Sequence, residues 1–292
     1  FAYETHFGRY RDSFVQLHWD ARDSPLVTEA QIAKMKRDYG EDGPEYRINV
    51  LGLPPVDDPS AMIPRTWLVA AVDRWKADKD ETWKDYPVIA AFDPGGGGTD
   101  ESAYLSRQGK RVRRTQGTSE ANATVLGDWC FQQMLQDDVD RLYVDNVGLG
   151  GPMLDYMKKD APRWGFNPSA IRAADVRKVA TNPKYARMRD QAWWAVRQWF
   201  QDDLAQIPDD SKLRNELGSI KTKDPNTKGQ TMVESKEQMR ARGMPSPNRG
   251  DALMMTMFAP ESALAEAKRA SDGYEEYDED DNQNMRISWM GR

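Results

Sequence analysis

Two short apolar runs, each ending in an aspartate, constrain the fold of this chain most. The first is Tyr86-Pro-Val-Ile-Ala-Ala-Phe-Asp93, and the second is Leu142-Tyr-Val-Asp145. A run of this length that is bounded by turn-forming residues is typical of a buried β-strand. Turn residues follow both runs, because Pro94 and four glycines come after the first and a glycine-rich stretch comes after the second. The sequence therefore predicts two buried strands that each end in a carboxylate.

The remaining patterns place these strands in an α/β sheet flanked by helices. Further strands are predicted at 100–106, 110–116 and 169–176. Helices are predicted at 64–78, 119–136, 184–203 and 210–220, and from about 251 to 258. The segment 221–230 resembles the tip of a hairpin. Three consecutive strands followed by alternating helices and strands indicate a mixed sheet, with a hairpin-linked antiparallel part and parallel additions.

Composition shifts divide the chain into three parts. Residues 1–60 form a small N-terminal extension, in which Thr28 is the expected cap of a helix over 29–39 that stops at Gly40. Residues 61–270 form the main domain. Residues 271–292 contain seven acidic residues against two arginines, and we expect this tail to be disordered. Because the chain begins with Phe1, it is interpreted as a fragment of a longer cytoplasmic protein.

The scarcity of cysteine and histidine narrows the chemistry. Cys130 is the only cysteine, which excludes an internal disulfide framework and a multi-thiolate zinc site. The two histidines, His6 and His18, both lie near the start of the chain. The sequence has no apolar run of membrane-spanning length and no phosphate-binding loop motif. Hydrolytic chemistry in the main domain must therefore come from carboxylates, hydroxyls, lysine or arginine.

Three aspartates are the candidate catalytic residues and metal ligands. Asp93 and Asp145 end predicted strands, and Asp251 begins a predicted helix. In an open α/β sheet, ligands gather beyond the carboxyl ends of the strands. If the two strands are neighbours about 4.8 Å apart, their carboxylates are within reach of one ion, and a packed helix can bring the third to the same point. Such a cluster repels itself when ionised, and a hard divalent cation such as Mg²⁺ or Mn²⁺ relieves that repulsion.

Each of these aspartates also has a purely structural interpretation. Asp93-Pro-Gly is compatible with a simple turn, Asp145-Asn146 with a strand-ending turn, and Asp251 with a helix N-cap. Asp100 and Glu101 lie across the glycine turn from Asp93, and either is a further candidate ligand or a charge at the edge of a hairpin. On spacing alone, the structural and functional interpretations both stay open.

A basic stretch follows the predicted strands. Residues 172–249 contain sixteen Lys and Arg against ten Asp and Glu. That excess is compatible with a polyanion-binding face and with an ordinary solvated helical surface. Lys236 and Arg242, shortly before Asp251, and Lys223 and Lys228, in the hairpin segment, are the candidate phosphate-contacting residues.

At these residues the chain resembles the C-terminal nuclease region of the large terminase subunit of tailed bacteriophages, the motor that packages viral DNA. The resemblance spans roughly residues 20–258 and rests on four stretches in order, which begin at Ala90, Leu142, Glu234 and Ser246. Upstream, Arg22-Asp-Ser-Pro25 and Tyr46-Arg-Ile-Asn-Val-Leu-Gly-Leu-Pro54 resemble the stretch that joins ATPase and nuclease regions in that family.

The resemblance implies an RNase H-like fold and two-metal cleavage of double-stranded DNA. It implies Asp93, Asp145 and Asp251 as ligands of Mg²⁺ or Mn²⁺, with Asp100 as a fourth candidate. It also implies an upstream ATPase domain, a portal protein and a small terminase subunit as partners, and action in the host bacterial cytoplasm without a membrane. Two features depart from the family pattern. ATPase motifs are absent, and Asn248 replaces the usual acid after Ser-Pro, which leaves Asp251 as the only acid there.

Two other functions are compatible with the same residues. One is another RNase H-like nuclease, of the resolvase or transposase type. The second is a non-catalytic docking or assembly module of the packaging motor, in which the aspartates serve as turns and caps and the acidic tail binds a partner.

Overall fold

The computed structural model describes residues 15, 17–41, 44–53, 57–79, 81–97 and 101–258. Asp100 and the acidic tail at 271–292 lie outside the described residues, so the predictions made for them stay predictions. The proposed division into 1–60, 61–270 and 271–292 likewise stays a prediction. Among the described residues, no helix is long and apolar enough to cross a membrane.

The described chain contains nine α-helices and seven strands. The helices are α1 Glu29–Tyr39, α2 Pro44–Asn49, α3 Arg65–Ala77, α4 Ala123–Asp137, α5 Gly150–Asp160, α6 Met188–Gln201, α7 Ser211–Ser219, α8 Lys236–Ala241 and α9 Asn248–Met255. The strands are β1 Val88–Asp93, β2 Ser102–Gln108, β3 Arg111–Thr118, β4 Arg141–Asp145, β5 Ile171–Ala174, β6 Thr222–Lys223 and β7 Met232–Val233.

The five longer strands form one mixed sheet in the order β3-β2-β1-β4-β5. β1 pairs antiparallel with β2, and β2 with β3, while β4 runs parallel to both β1 and β5. The predicted mixed sheet flanked by helices is confirmed. β6 and β7 form a separate antiparallel pair, at the base of the predicted hairpin.

Two apolar cores cover the two faces of the sheet. Alternate residues of a strand point to opposite faces. Ile89 and Ala91 of β1 therefore join one core with α3, α6, α7 and α9, whereas Ala90 and Phe92 join the other with α4 and α5. The sheet lies between two helical layers. The alternation decides which of the two layers the last side chain of each strand faces.

Helix starts show where local sequence signals succeed and where they fail. Thr28 caps α1 as predicted, since its hydroxyl accepts from Gln31 N and the Gln31 side chain accepts from Thr28 N. The predicted cap Ser119 is wrong. α4 begins three residues later, where Asn122 Oδ1 accepts from Thr124 N and Val125 N. Asn and Ser are comparable N-caps, so residue type does not decide the start of the helix. β3 runs up to Thr118, and the turn that follows it places the helix start at Asn122 and not at Ser119.

Candidate active site

Asp93 and Asp145 lie side by side at the same edge of the sheet. β1 and β4 are parallel neighbours, and Phe92 is in register with Val144, so the aspartates that follow are level with each other. Asp93 continues the alternation of Ile89 and Ala91 and therefore points to the α9 face. Asp145 follows Tyr143, whose ring belongs to the same core. The predicted juxtaposition of the two strand-end aspartates is thus present in the structure.

The loop after Asp145 contacts that aspartate twice, at its side chain and at its backbone. Its Oδ1 accepts from Val147 N at 3.0 Å, which is the strand-ending turn considered from the sequence. Gly150, the first residue of α5, passes so close that an added Cβ would lie 1.5 Å from the Asp145 carbonyl oxygen. Glycine is therefore required there, because any side chain would push the helix away from the strand end. Asp145 keeps its second carboxylate oxygen for other partners.

Asp251 reaches the same point from α9. It lies in the first turn of that helix, and Pro247, which provides no side-chain cap, occupies the N-cap position. The interpretation of Asp251 as an N-cap is therefore wrong. α9 packs against β1 and β2, and Asp251 is buried on this contact with 4% of its surface exposed. Both of its carboxylate oxygens are buried, and no neutral donor among the described residues hydrogen-bonds to them.

The ammonium group of Lys236 lies between two of the carboxylates. Its Nζ is 3.0 Å from Asp251 Oδ2 and 3.5 Å from Asp93 Oδ2. Lys236 is the first residue of α8, and a capping box fixes this start. Ser235 Oγ accepts from Gln238 N at 3.2 Å, and Gln238 Oε1 accepts from Ser235 N at 3.0 Å. Arg189 adds a second cation, with Nη2 3.8 Å from Asp251 Oδ1.

Burial and mutual repulsion shift the pKa values of these groups. Burial, reinforced by the charges of Asp251 and Asp145, raises the pKa of Asp93 to about 7 although Lys236 opposes the shift. Burial and the charge of Asp251 also raise the pKa of Asp145, against the hydrogen bond from Val147. Burial lowers the pKa of Lys236, but the carboxylates outweigh it and the net pKa is raised. Burial thus makes ionisation of the two strand-end aspartates costly, and the three carboxylates together keep Lys236 charged.

We predict that Asp93→Asn stabilises the metal-free protein. A carboxyl group whose pKa is higher in the folded state favours unfolding above its unfolded pKa, and the penalty grows until the pH exceeds the folded value of about 7. Removing the charge should raise the free energy of unfolding by roughly 1 to 4 kcal/mol at pH 8, since each pKa unit corresponds to about 1.4 kcal/mol. Urea unfolding in EDTA at pH 4.5 and pH 8 measures the free energy of unfolding. An increase at pH 4.5 as large as that at pH 8 would show that the raised pKa of Asp93 is not the cause.

The donor set suits a hard divalent cation, although the side chains do not enclose one as they stand. Among the described residues, no group of three His, Cys, Asp or Glu side chains is arranged to hold a metal ion. Instead, Lys236 supplies the positive charge. Asp251 Oδ1 is, however, buried with Arg189 Nη2 only as near as 3.8 Å, and a buried carboxylate oxygen is costly unless a cation or a donor satisfies it. Oxygen-only ligands are those that Mg²⁺ and Mn²⁺ prefer.

A cavity of about 490 Å³ opens beside these carboxylates. Asp145, Asp251 and Lys236 line one part of it, and the other cations on its wall are Arg177, Arg187, Arg189 and Lys223. Lys223 was a candidate from the sequence. The three arginines were not, because Arg177 and Arg187 lie in an irregular segment before α6, Arg189 lies in its first turn, and only their share in the basic excess of 172–249 pointed to them.

Two segments that contact each other form the basic side of this cavity. These segments, 175–187 and 221–233, are called the basic wall. Thr231 N donates to Lys184 O at 2.8 Å, and Gln230 Nε2 donates to Tyr185 O at 3.2 Å. The wall has six exposed cationic residues: Arg177, Lys178, Lys184, Arg187, Lys223 and Lys228. The predicted hairpin thus lies next to the carboxylates because a second loop supports it.

Two other charged candidates are engaged elsewhere. The guanidinium of Arg242 holds the buried Glu234 at 2.5 Å and donates to Ser219 O at 2.8 Å, and it does not line the cavity. Glu101 pairs with Lys212 and, at 3.2 Å, with Arg249, so its carboxylate does not join Asp93. For Glu101 the structure thus favours the structural interpretation.

Solved structures of one phage protein resemble the described chain. The nuclease domain of the large terminase subunit of bacteriophage Sf6 matches with 25% identity and a TM-score of 0.56, over 68% of this chain and 99% of that one. A point mutant of that domain with calcium matches with 25% identity and a TM-score of 0.57, over 68% of this chain and 100% of that one. A mutant with manganese and β-thujaplicinol matches with 25% identity and a TM-score of 0.57, over 68% and 99%.

No protein-family model matches the chain, and no curated protein matches it either. The structural likeness therefore stands on the sheet order and the helices around it. It covers essentially the whole of the Sf6 domain. The part of this chain that it covers has the RNase H-like fold of the nuclease domains of phage large terminase subunits.

Proposed function

We propose that this chain is a metal-dependent endonuclease that cleaves double-stranded viral DNA during genome packaging. The observation that carries the proposal is the convergence of Asp93, Asp145 and Asp251 beside a basic cavity. The RNase H-like fold supports it, as do the Sf6 nuclease domains solved with calcium or manganese. A resolvase-type nuclease would share this fold, but no observation on the described residues favours it over the packaging nuclease.

Asp93, Asp145 and Asp251 are the residues that would hold the divalent ions. Bound ions of this kind activate water and stabilise the leaving oxygen in phosphodiester hydrolysis. Burial of Asp93 and Asp251 keeps competing water from their oxygens. Lys236, which faces the same carboxylates, is placed to balance their charge and to meet a phosphate oxygen of the substrate. Arg189, fixed by its bond to Glu234 O at 2.8 Å, holds a second positive charge beside Asp251.

The basic wall is the proposed contact with DNA. Phosphates of a duplex attract arginine and lysine without regard to base sequence, and each contact makes binding more sensitive to salt. Arg187 and Lys223 lie on opposite segments of the wall and both line the cavity. A strand bound along the wall would pass the three aspartates. Lys228 extends the wall at the turn between β6 and β7, whereas Arg242 is proposed only as support for Glu234.

The cellular setting is also a proposal. The portal protein, the small terminase subunit and an upstream ATPase domain are the proposed partners, and the host bacterial cytoplasm is the proposed location. The docking-module alternative rested on the acidic tail, which lies outside the described residues, and no contact among those residues favours it.

Cleavage of a supercoiled plasmid tests the proposed activity. We expect relaxed and linear DNA with Mg²⁺ or Mn²⁺ and none in EDTA. Asp145→Asn should be inactive, while Asp155→Asn, an exposed position on α5, should cleave as the unaltered protein does. Nicking that persists in EDTA, or equal activity of Asp145→Asn, would overturn the proposal. A strong preference for branched over linear duplex DNA would favour the resolvase-type alternative.

The basic wall predicts a specific salt dependence of DNA binding. Replacing Arg187 and Lys223 together with glutamine should lower the magnitude of the slope of log K against log salt by about 2, because each lost phosphate contact contributes about 0.9. Fluorescence anisotropy with a labelled duplex between low and moderate salt measures the slope. Lys158 and Lys159, exposed on α5 at the other face of the sheet, provide the matched double replacement. An equal change in both double variants would rule out a localised contact.

A further inference from the structure

The carboxylate of Asp251 is oriented only by charged side chains of other elements. Lys236 Nζ lies 3.0 Å from Oδ2 and Arg189 Nη2 lies 3.8 Å from Oδ1, and no neutral donor among the described residues hydrogen-bonds to either oxygen. The position of the Asp251 carboxylate therefore depends on the position of the α9 backbone, and above all on that of the first turn, which contains Asp251.

A buried carboxylate on α7 binds that first turn. Oε2 of Glu216 accepts from Arg249 N at 2.7 Å and from Gly250 N at 3.0 Å. These are N–H groups that a helix start leaves without partners, and Pro247 at the N-cap supplies no side-chain acceptor for them. Glu216 is 6% exposed and lies in α7, which packs against α9. A neighbouring helix thus provides the cap that the local sequence lacks.

Side chains of the same turn also contact neighbouring elements. Asn248 Nδ2 donates to Glu101 O at 2.6 Å, and Arg249 pairs with Asp210 at 2.7 Å. Gly250 lies against Trp193, where an added Cβ would be 3.3 Å from the indole ring. The three residues before Asp251 are therefore held from three sides. The two bonds to Glu216 are the ones that fix the backbone itself.

We propose that Glu216 is a positioning residue for the metal site, which sets the place of Asp251 by capping the first turn of α9. The inference rests on the proposed function, because Asp251 must be a metal ligand for its placement to matter. Residues that orient metal ligands from outside the coordination sphere affect metal affinity by about 10- to 100-fold when replaced. Glu216 itself contacts neither Asp93, Asp145 nor Lys236 in any hydrogen bond of the described structure.

The geometry provides a matched pair of variants. Both bonds end on a single oxygen, so Glu216→Gln can keep them through its amide oxygen, whereas Glu216→Met fills similar space and keeps neither. We expect Glu216→Met to bind Mn²⁺ about 10- to 100-fold more weakly in calorimetry and Glu216→Gln to stay close to the unaltered protein. Hydrogen exchange at the amides of Arg249 and Gly250 should become faster only in Glu216→Met.

Two further variants separate the possible outcomes. Met157→Ala, in the core on the other face of the sheet, lowers global stability without touching α9. If it weakens Mn²⁺ binding as much as Glu216→Met does, the positioning role is overturned. If Glu216→Met does not fold, Glu216→Asp, which is one methylene shorter, replaces it with the same expected direction. If Glu216→Met or Glu216→Asp folds and binds Mn²⁺ with unchanged affinity, the positioning role of Glu216 is overturned but the proposed function is not. If Asp251→Ala binds Mn²⁺ with unchanged affinity, the proposed function is overturned.

Discussion

Asp251→Ala should lower the rate of plasmid cleavage by about 1,000-fold, which corresponds to the several kcal/mol that a bound metal ion contributes to such reactions. The fold should survive. The change removes the desolvation cost of a buried carboxylate, but it also removes one of the two carboxylates that pair with Lys236, so we expect a lower melting temperature with the fold retained. Cleavage under single-turnover conditions over a range of Mn²⁺ concentrations is the measurement.

The control for Asp251→Ala is a second buried aspartate, Asp190, which backbone hydrogen bonds hold in place. Asp190 is also buried, but it accepts from Val233 N at 2.9 Å and from Arg187 N at 3.1 Å. Asp190→Asn should therefore lower the melting temperature and leave the dependence on Mn²⁺ unchanged. Full cleavage by Asp251→Ala, with its circular dichroism unchanged, would remove Asp251 from the site and the proposed ligand set with it.

Lys236→Met should lower the melting temperature of the metal-free protein by about 10 °C. Breaking a buried ion pair by removing one partner costs about 3 kcal/mol or more, because the charge that remains is uncompensated, and each kcal/mol shifts the melting of a domain of this size by about 3 °C. Here Asp93 and Asp251 both lose their nearest cation. Differential scanning calorimetry in EDTA measures the shift.

Divalent ions provide the decisive comparison for this variant. With the ammonium group gone, Mn²⁺ should raise the melting temperature of Lys236→Met more than that of the unaltered protein, since a cation then relieves a larger repulsion. Lys236→Arg, which keeps the charge, should resemble the unaltered protein in EDTA. Equal melting of all three proteins without metal would mean that Lys236 does not balance the carboxylates.

Local sequence patterns were sufficient for the sheet and for the placement of two candidate site residues. The runs ending at Asp93 and Asp145 have strand length, and strand alternation together with parallel pairing brings their carboxylates to one edge. The combination of an antiparallel part with parallel additions also followed from the sequence, whereas the strand order came from the structure. Asp251 was found as an acid at a helix start, although its position inside the first turn was not predicted.

Contacts between distant segments were not accessible from the sequence. Arg189 lies beside Asp251 only because α6 packs against α9, and Glu216 caps α9 from 33 to 34 positions earlier in the sequence. Neither residue belongs to a local motif. The N-cap of α4 at Asn122 shows the same limit on a smaller scale, because two capping residues three positions apart, Ser119 and Asn122, compete and the end of β3 decides between them.

The chain order of the site residues has a consequence for protein synthesis. Asp93 and Asp145 come from strands made early, whereas Lys236 and Asp251 come from the last helices of the described domain. A nascent chain that has not yet released α9 from the ribosome has an incomplete set of carboxylates. The proposed metal site can therefore form only after the whole described domain has been synthesised and folded.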